Sequence, residues 1–366
     1  MDRSQDMSKI DSDKKNYGQE DILGIHHVTA ITSDPQKNID FYTNNLGLRF
    51  VKLTVNQDDP TSYHLYYGDE IGRPGTVLTF FHWPNIPRGN RGTGEVSAVS
   101  FLISEDSMSY WMRRFKDEKT EFSGPYKRFG NEQVITFHDP DGLVLELVAH
   151  SSAEHRTANI WKEGPIPIEH AVRGFYSVTL SEEGYERTAS ILTTELGFVP
   201  TLQDGSRFRY EIPGIVSSFF PPPSTQEKEY ARGANIVDVL CLPYTQQATI
   251  GIGSVHHVAW RTPTDEQQKV LRKNIVKAGL NATPVIDRLY FHSVYFREPG
   301  GILFEIATNS PGFTIDEKAE ELGTHLMLPP WLESMRSELE KVLPRVHLST
   351  KKEKQRTSGI KQNTIA

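Results

Sequence analysis

Short β-rich runs alternate with single stretches of helical spacing along this chain, and the same order of runs recurs. Four related runs open the recurring segments: GIHHVTAIT from Gly24, EVSAVSFLI from Glu95, RGFYSVTLS from Arg173 and SVHHVAWRT from Ser254. A helical stretch follows: Pro35–Asn45 leads into LGLRFVK, and Tyr185–Leu196 leads into GFVPTL. Each segment closes on a Pro-containing turn signal and a further β-rich run. These are RPGTVLTFFHWP (Arg73–Pro84), FHDPDGLVLELVAH (Phe137–His150), IPGIVSSFFPPP (Ile212–Pro223) and FREPGGILFEIATN (Phe296–Asn309). The second and fourth closing runs carry a glutamate at the same place, and 159 residues separate Glu146 from Glu305 just as they separate Pro140 from Pro299. The unit is therefore predicted to be a strand, a helix and three strands, repeated four times.

That pattern predicts an α+β fold of four βαβββ modules, over residues 23–90, 91–152, 168–225 and 250–312. The polar, charged residues 1–22 are expected to be a disordered tail, and so is the basic stretch 349–366. Residues 313–348 read as a helical extension, from the apolar spacing of Asp316–Leu322 and Pro330–Leu343.

Composition narrows the class. The 366 residues are 37% hydrophobic and 24% charged, as in a globular protein with ample core. A net charge of -7 argues against nucleic acid as a partner. No apolar run is long enough for a membrane span, and the N-terminal residues lack the apolar stretch of a secretory signal, so a cytoplasmic location is expected. With Cys241 as the lone cysteine, neither an internal disulfide nor a thiolate metal cluster can form.

The repeat brings candidate chemistry into register. Aligned on their turns, the opening strands place His27, Ala98, Ser177 and His257 at one position, and the closing strands place Phe80, Glu146, Phe219 and Glu305 at another. Modules one and four together supply His, His and Glu; the other two cannot. The spacing from His257 to Glu305 is 48 residues, equal to that from Ala98 to Glu146. Successive side chains on a strand point to opposite faces, so one histidine of each His-His pair should face inward, but alternation alone leaves open which. Two histidines and one carboxylate make a facial set suited to non-haem Fe(II), with zinc as the competing ion. Glu146, without histidine partners, is expected to be paired with an Arg or Lys. His64 and His82 fall on strands of the first module and are candidates to line its cup.

The segments GIHHVTA, FYTNNLGLRFVKLTVNQDD, YHLYYGDEIGRPGTVLTFF, PIEHAVRGF, HHVAW and YFREPGGILFEIAT resemble the hydroquinone and catechol ring-cleaving dioxygenases of the vicinal-oxygen-chelate superfamily. They span roughly Gly24 to Phe313. The resemblance implies that modules pair into two cup-like sheets. It implies that the first and fourth make the working cup, and that His27, His257 and Glu305 hold Fe(2+). It further implies that His26, Thr29, His256, Arg288 and Tyr295 surround the substrate, although His26 and His256 could reach the pocket only through a twist or bulge. Phe80, Phe296 and Trp260 are expected near a flat aromatic diol, with O2 as co-substrate. Homo-oligomerisation is left open. Two other readings stand beside this one: a glyoxalase-like isomerase or lyase, and a metal-free protein that sequesters aromatic compounds.

Overall fold

A computed structural model describes residues 22–130, 132–157, 159–213 and 234–348. Residues 1–21 of the expected N-terminal tail, all of the C-terminal tail and Phe219 lie outside the described residues.

Among the described residues, sixteen strands form two curled eight-stranded sheets. The first module contributes β1 (Ile25–Thr32), β2 (Arg49–Val55), β3 (Tyr63–Gly68) and β4 (Val77–His82). The second contributes β5 (Glu95–Ile103), β6 (Phe122–Arg128), β7 (Glu132–His138) and β8 (Val144–Ala149). The third has β9 (Phe175–Glu182), β10 (Val199–Asp204), β11 (Arg207–Glu211) and β12 (Ile236–Cys241). The fourth has β13 (Val255–Thr262), β14 (Ile286–Asp287), β15 (His292–Arg297) and β16 (Leu303–Thr308). One sheet runs β14-β15-β16-β13-β1-β4-β3-β2, the other β10-β11-β12-β9-β5-β8-β7-β6. Modules one and four thus share a sheet, joined at its centre by the antiparallel pair β1 and β13, and modules two and three share the other. Within each module the opening strand pairs parallel with the closing one, as β1 does with β4, which requires a crossover between them.

The crossover is the helix. Helix α1 (Pro35–Asp40) starts where the Asp34 carboxylate accepts from the backbone N–H groups of Gln36 and Lys37, with Pro35 in the first turn, and it continues as a π-turn through Phe41–Asn45. Its counterparts are α2 (Met108–Asp117), α3 (Glu186–Ser190) and α4 (Asp265–Lys277). Gly142 and Gly301, at φ +87 and +103, permit the tight turns before β8 and β16.

Two expectations need correction. Among the described residues, the strand that closes the third module is Ile236–Cys241, beyond the expected end at 225. Residues 214–223 of the expected closing run lie outside the described residues. In the C-terminal extension, Asp316–Leu322 contains only one short turn, Ala319–Glu321, whereas the second stretch does form α5 (Arg336–Val342) after a tight turn over Pro330–Met335. Fully buried Lys52 of β2 anchors this extension through ion pairs to Asp316 (2.6 Å) and Glu317.

Candidate metal centre

Strand pairing decides which side chains meet. On the cup face of the first sheet the register aligns His27 with Ala259, Thr29 with His257, and Ala259 with Glu305. Residues paired across neighbouring strands share a face, so His27, His257 and Glu305 converge. One ligand atom from each lies within 4.8 Å of the others, and this is the one group of three or more such residues found among the described residues. The Nε2 atoms of His27 and His257 are 3.2 Å apart, and Glu305 Oε2 lies 3.3 and 2.9 Å from them. All three side chains are almost completely buried.

The ladder between β1 and β13 shifts register at two places, leaving His26 and His256 as the extra residues. Each bulge turns a second histidine toward the ligand beside it. His26 Nδ1 lies 2.9 Å from His27 Nδ1, and His256 Nδ1 lies 2.7 Å from His257 Nδ1. The first contact has an assignable direction. His26 Nε2 is 3.0 Å from the Thr308 carbonyl, which can only accept, so that nitrogen carries hydrogen. Burial, helped by His27, lowers the His26 pKa and keeps it neutral. Its Nδ1 is then bare and His27 Nδ1 must donate, which leaves Nε2, facing His257 and Glu305, as the His27 nitrogen available to a metal. The His256–His257 pair repeats the contact, with His256 lowered to about 3, mainly by burial.

Glu305 is placed with equal care. Ser293 donates to its Oε1 at 2.5 Å. Oε2 lies close to both imidazoles yet receives no aligned hydrogen bond. Burial would raise this carboxyl, but the two histidines hold it well below the usual carboxylate range. Two imidazole nitrogens and a carboxylate oxygen thus converge at separations that fit one ion in place of a shared proton. Donor atoms about 2.1 Å from a metal and at right angles are about 3.0 Å apart. The donor set suits iron, with zinc as the alternative.

A small cleft opens beside the His27 and His257 rings. Its aromatic walls are Tyr66, Phe81, Phe291 and Tyr295. Phe80, Trp260 and Phe296, expected there, instead belong to the core behind the sheet. Each is one residue out of phase, since Thr79, Ala259 and Tyr295 take the cup face. The fourth position is consequently Thr79, which pairs with Thr29 as Glu305 pairs with Ala259. Thr79 Oγ1 contacts Thr29 Oγ1 and His64 Nε2, both at 2.8 Å, and His64 Nδ1 lies 2.9 Å from the Tyr66 hydroxyl. His64 lines the cleft; His82, buried beyond it, does not. Arg288 lines the mouth and lies over the Tyr295 ring at 5.4 Å. Burial pushes the Tyr295 hydroxyl above its ordinary range, so it stays a neutral donor.

The second sheet shows what the same frame becomes without histidines. Ala98 and Ser177 stand where the ligands would be, and Glu146 and Asp238 take the closing positions. Glu146 accepts from Arg128 and Ser100, each at 2.7 Å, which is the expected arginine pairing. Arg209 joins Asp238 at 2.7 Å and also Glu132, so guanidinium groups neutralise this cup.

Paired βαβββ modules around two histidines and a glutamate place the chain in the vicinal-oxygen-chelate fold class. The family model of the Glyoxalase/Bleomycin resistance protein/Dioxygenase superfamily matches residues 24–147. The Bacillus subtilis (strain 168) protein named "Putative ring-cleaving dioxygenase MhqO" is 41% identical over 88% of this chain and 96% of its own. The chlorohydroquinone/hydroquinone 1,2-dioxygenase of Sphingobium indicum is 32% identical over 87% and 95%. A crystal structure described as a "putative dioxygenase from Bacillus subtilis" superposes with a TM-score of 0.81, at 38% identity over 90% of this chain and 99% of that one. Maize glyoxalase I shares the fold at a TM-score of 0.54 and 14% identity, covering 78% and 92%. The chain belongs to the Glyoxalase/Bleomycin resistance protein/Dioxygenase superfamily.

Proposed function

We propose that the chain is an Fe(II)-dependent, extradiol-type ring-cleaving dioxygenase that acts on a hydroquinone or catechol and inserts both atoms of O2. His27, His257 and Glu305 hold the iron in this reading. The observation that carries it is the convergence of the His27 and His257 Nε2 atoms with Glu305 Oε2, all on buried side chains beside the cleft. The relatives named for ring cleavage support the choice of chemistry. Bound iron(II) would supply the redox link between the electron-rich ring and O2, neither of which reacts readily with the other alone.

The chain's own residues do the rest. His26, held by the Thr308 carbonyl, fixes the tautomer of the His27 ring, and His256 makes the matching contact to the His257 ring. Phe81, Phe291 and Tyr66 hold a flat ring and exclude water from it. Tyr295, as a neutral hydroxyl, donates a hydrogen bond to oxygen on the ring, and the Arg288 guanidinium offsets negative charge developing there. Thr29, joined to Thr79, closes the floor beside the ligands. Threonine rather than a carboxylate at the fourth position speaks against the isomerase reading, for which a fourth protein ligand is expected.

The test is anaerobic loading with Fe(II), then oxygen-electrode traces with hydroquinone, methylhydroquinone and catechol. One O2 consumed per ring lost is the expected outcome. Loaded protein that consumes no oxygen with any of the three would refute the reading.

A further inference from the structure

The mouth of the cleft is bridged. Asn56, Gln57 and Asp58, in the loop after β2, face Arg288, in the turn between β14 and β15, across the opening. Asp58 accepts from both ends of the Arg288 guanidinium, at 3.1 Å (Nη1 to Oδ1) and 2.9 Å (Nη2 to Oδ2). Gln57 Nε2 donates to the Arg288 carbonyl at 3.1 Å, and Asn56 Oδ1 holds the Asp58 backbone N–H at 2.9 Å. The loop of one module thus grips both main chain and side chain of the other.

The two ends of the pair are unequal. The Asp58 side chain is 72% exposed, whereas Arg288 is 18% exposed and packed over Tyr295. A carboxylate so open to water loses little when its partner leaves, because such pairs contribute at most about 1 kcal/mol. The guanidinium stays seated on the Tyr295 ring either way, with its planar fork of donors at the edge of a cavity lined by aromatic rings. An anionic oxygen on a ring inside that cavity can take the place of the Asp58 carboxylate through the same two donors.

We infer that Asp58 is a positioning residue that competes with the ligand for Arg288, forming a latch across the cleft that an ionised aromatic displaces and a neutral one does not. The latch deepens the ring-cleavage reading and rests on it for its biological meaning, but it makes a claim about binding alone. Asp58 then sets how strongly the cleft discriminates between phenolate-type and uncharged rings of the same shape. Gln57, by holding the Arg288 carbonyl, keeps the arginine at the mouth after the carboxylate has let go.

The experiment uses calorimetric titration of the full-length protein without oxygen, so that nothing turns over, both with and without Fe(II). The probes are 4-nitrophenolate, at a pH where it is ionised, and 4-nitroanisole as its uncharged counterpart. Asp58→Asn should tighten phenolate binding by about two- to fivefold, the size of one exposed ion pair, and leave 4-nitroanisole unchanged. Asp58→Glu should restore the wild-type value, and Arg288→Gln should erase the phenolate preference in either background. Phenolate binding that is unchanged, weaker or undetectable in Asp58→Asn, or equal shifts for both probes, would overturn the inference. Because the metal-free titration reads Arg288 and not iron, the latch and ring cleavage can fail separately.

Discussion

Ser293 makes a sharp test of how the proposed metal centre is built. It lies on β15, fully buried, and donates at 2.5 Å to Glu305 Oε1, while Glu305 Oε2 faces the two histidines. Replacing it with alanine removes one oxygen from a site that water does not reach. The carboxylate then keeps its charge without that donor, and hydrogen bonds to charged groups contribute about 1.5–3 kcal/mol. Part of that loss appears as a raised carboxyl pKa and part as freedom for the side chain to turn away from the histidines. Supporting residues of this kind typically change metal affinity by about 10–100-fold, which agrees with the energy range. The assay is anaerobic competition for Fe(II) against a chromophoric chelator, with thermal unfolding of the metal-free protein as a control for the fold. Weakening of tenfold or more in Ser293→Ala is expected. A dissociation constant within twofold of wild type would show that Glu305 needs no such support.

Two further outcomes follow from groups outside the cup. Arg209→Ala should destabilise the protein in chemical denaturation, by less than the about 3–5 kcal/mol that stripping a buried charge of its only partner costs, since Glu132 keeps Arg128 and Asp238 keeps Arg207, while iron content stays at wild type; a loss of iron instead would mean that the second sheet is not merely structural. Glu182, at the end of β9, is pushed up to about 8, first by burial and then by Glu298. A carboxyl with a raised folded pKa binds more protons folded than unfolded, so its contribution is full below its ordinary range near 4.5 and is lost as pH rises through about 8. Glu182→Gln should flatten the fall in melting temperature between pH 5 and pH 9, and an unchanged slope would refute the assignment.

Much of this was legible in the repeat. The constant offset of Glu146 and Glu305, and two His-His pairs at matching positions, single out the modules that share the working sheet. The phase of individual strands was harder to read. Phe80, Trp260 and Phe296 each fall one residue from the cup face, because hydrophobic strands covered on both sides carry no alternation to count. The bulges at His26 and His256 arise from pairing between strands some 230 residues apart in the chain, so no local pattern announces them. Ser293 could have been found, since it sits two residues before Tyr295 and therefore on the same face. His64 and Tyr66 stand in the same relation on β3. Asp58 offered no signal, because its partner becomes a neighbour only once modules one and four have paired.

The central claim is that one cup binds iron through His27, His257 and Glu305 while the other is closed by arginines. Anaerobic Fe(II) titration of the wild-type chain and of Glu305→Ala tests it most directly. The account predicts one tightly bound iron per chain, lost in the variant with the fold intact. Two irons per chain, or one retained in Glu305→Ala at wild-type affinity, would contradict it.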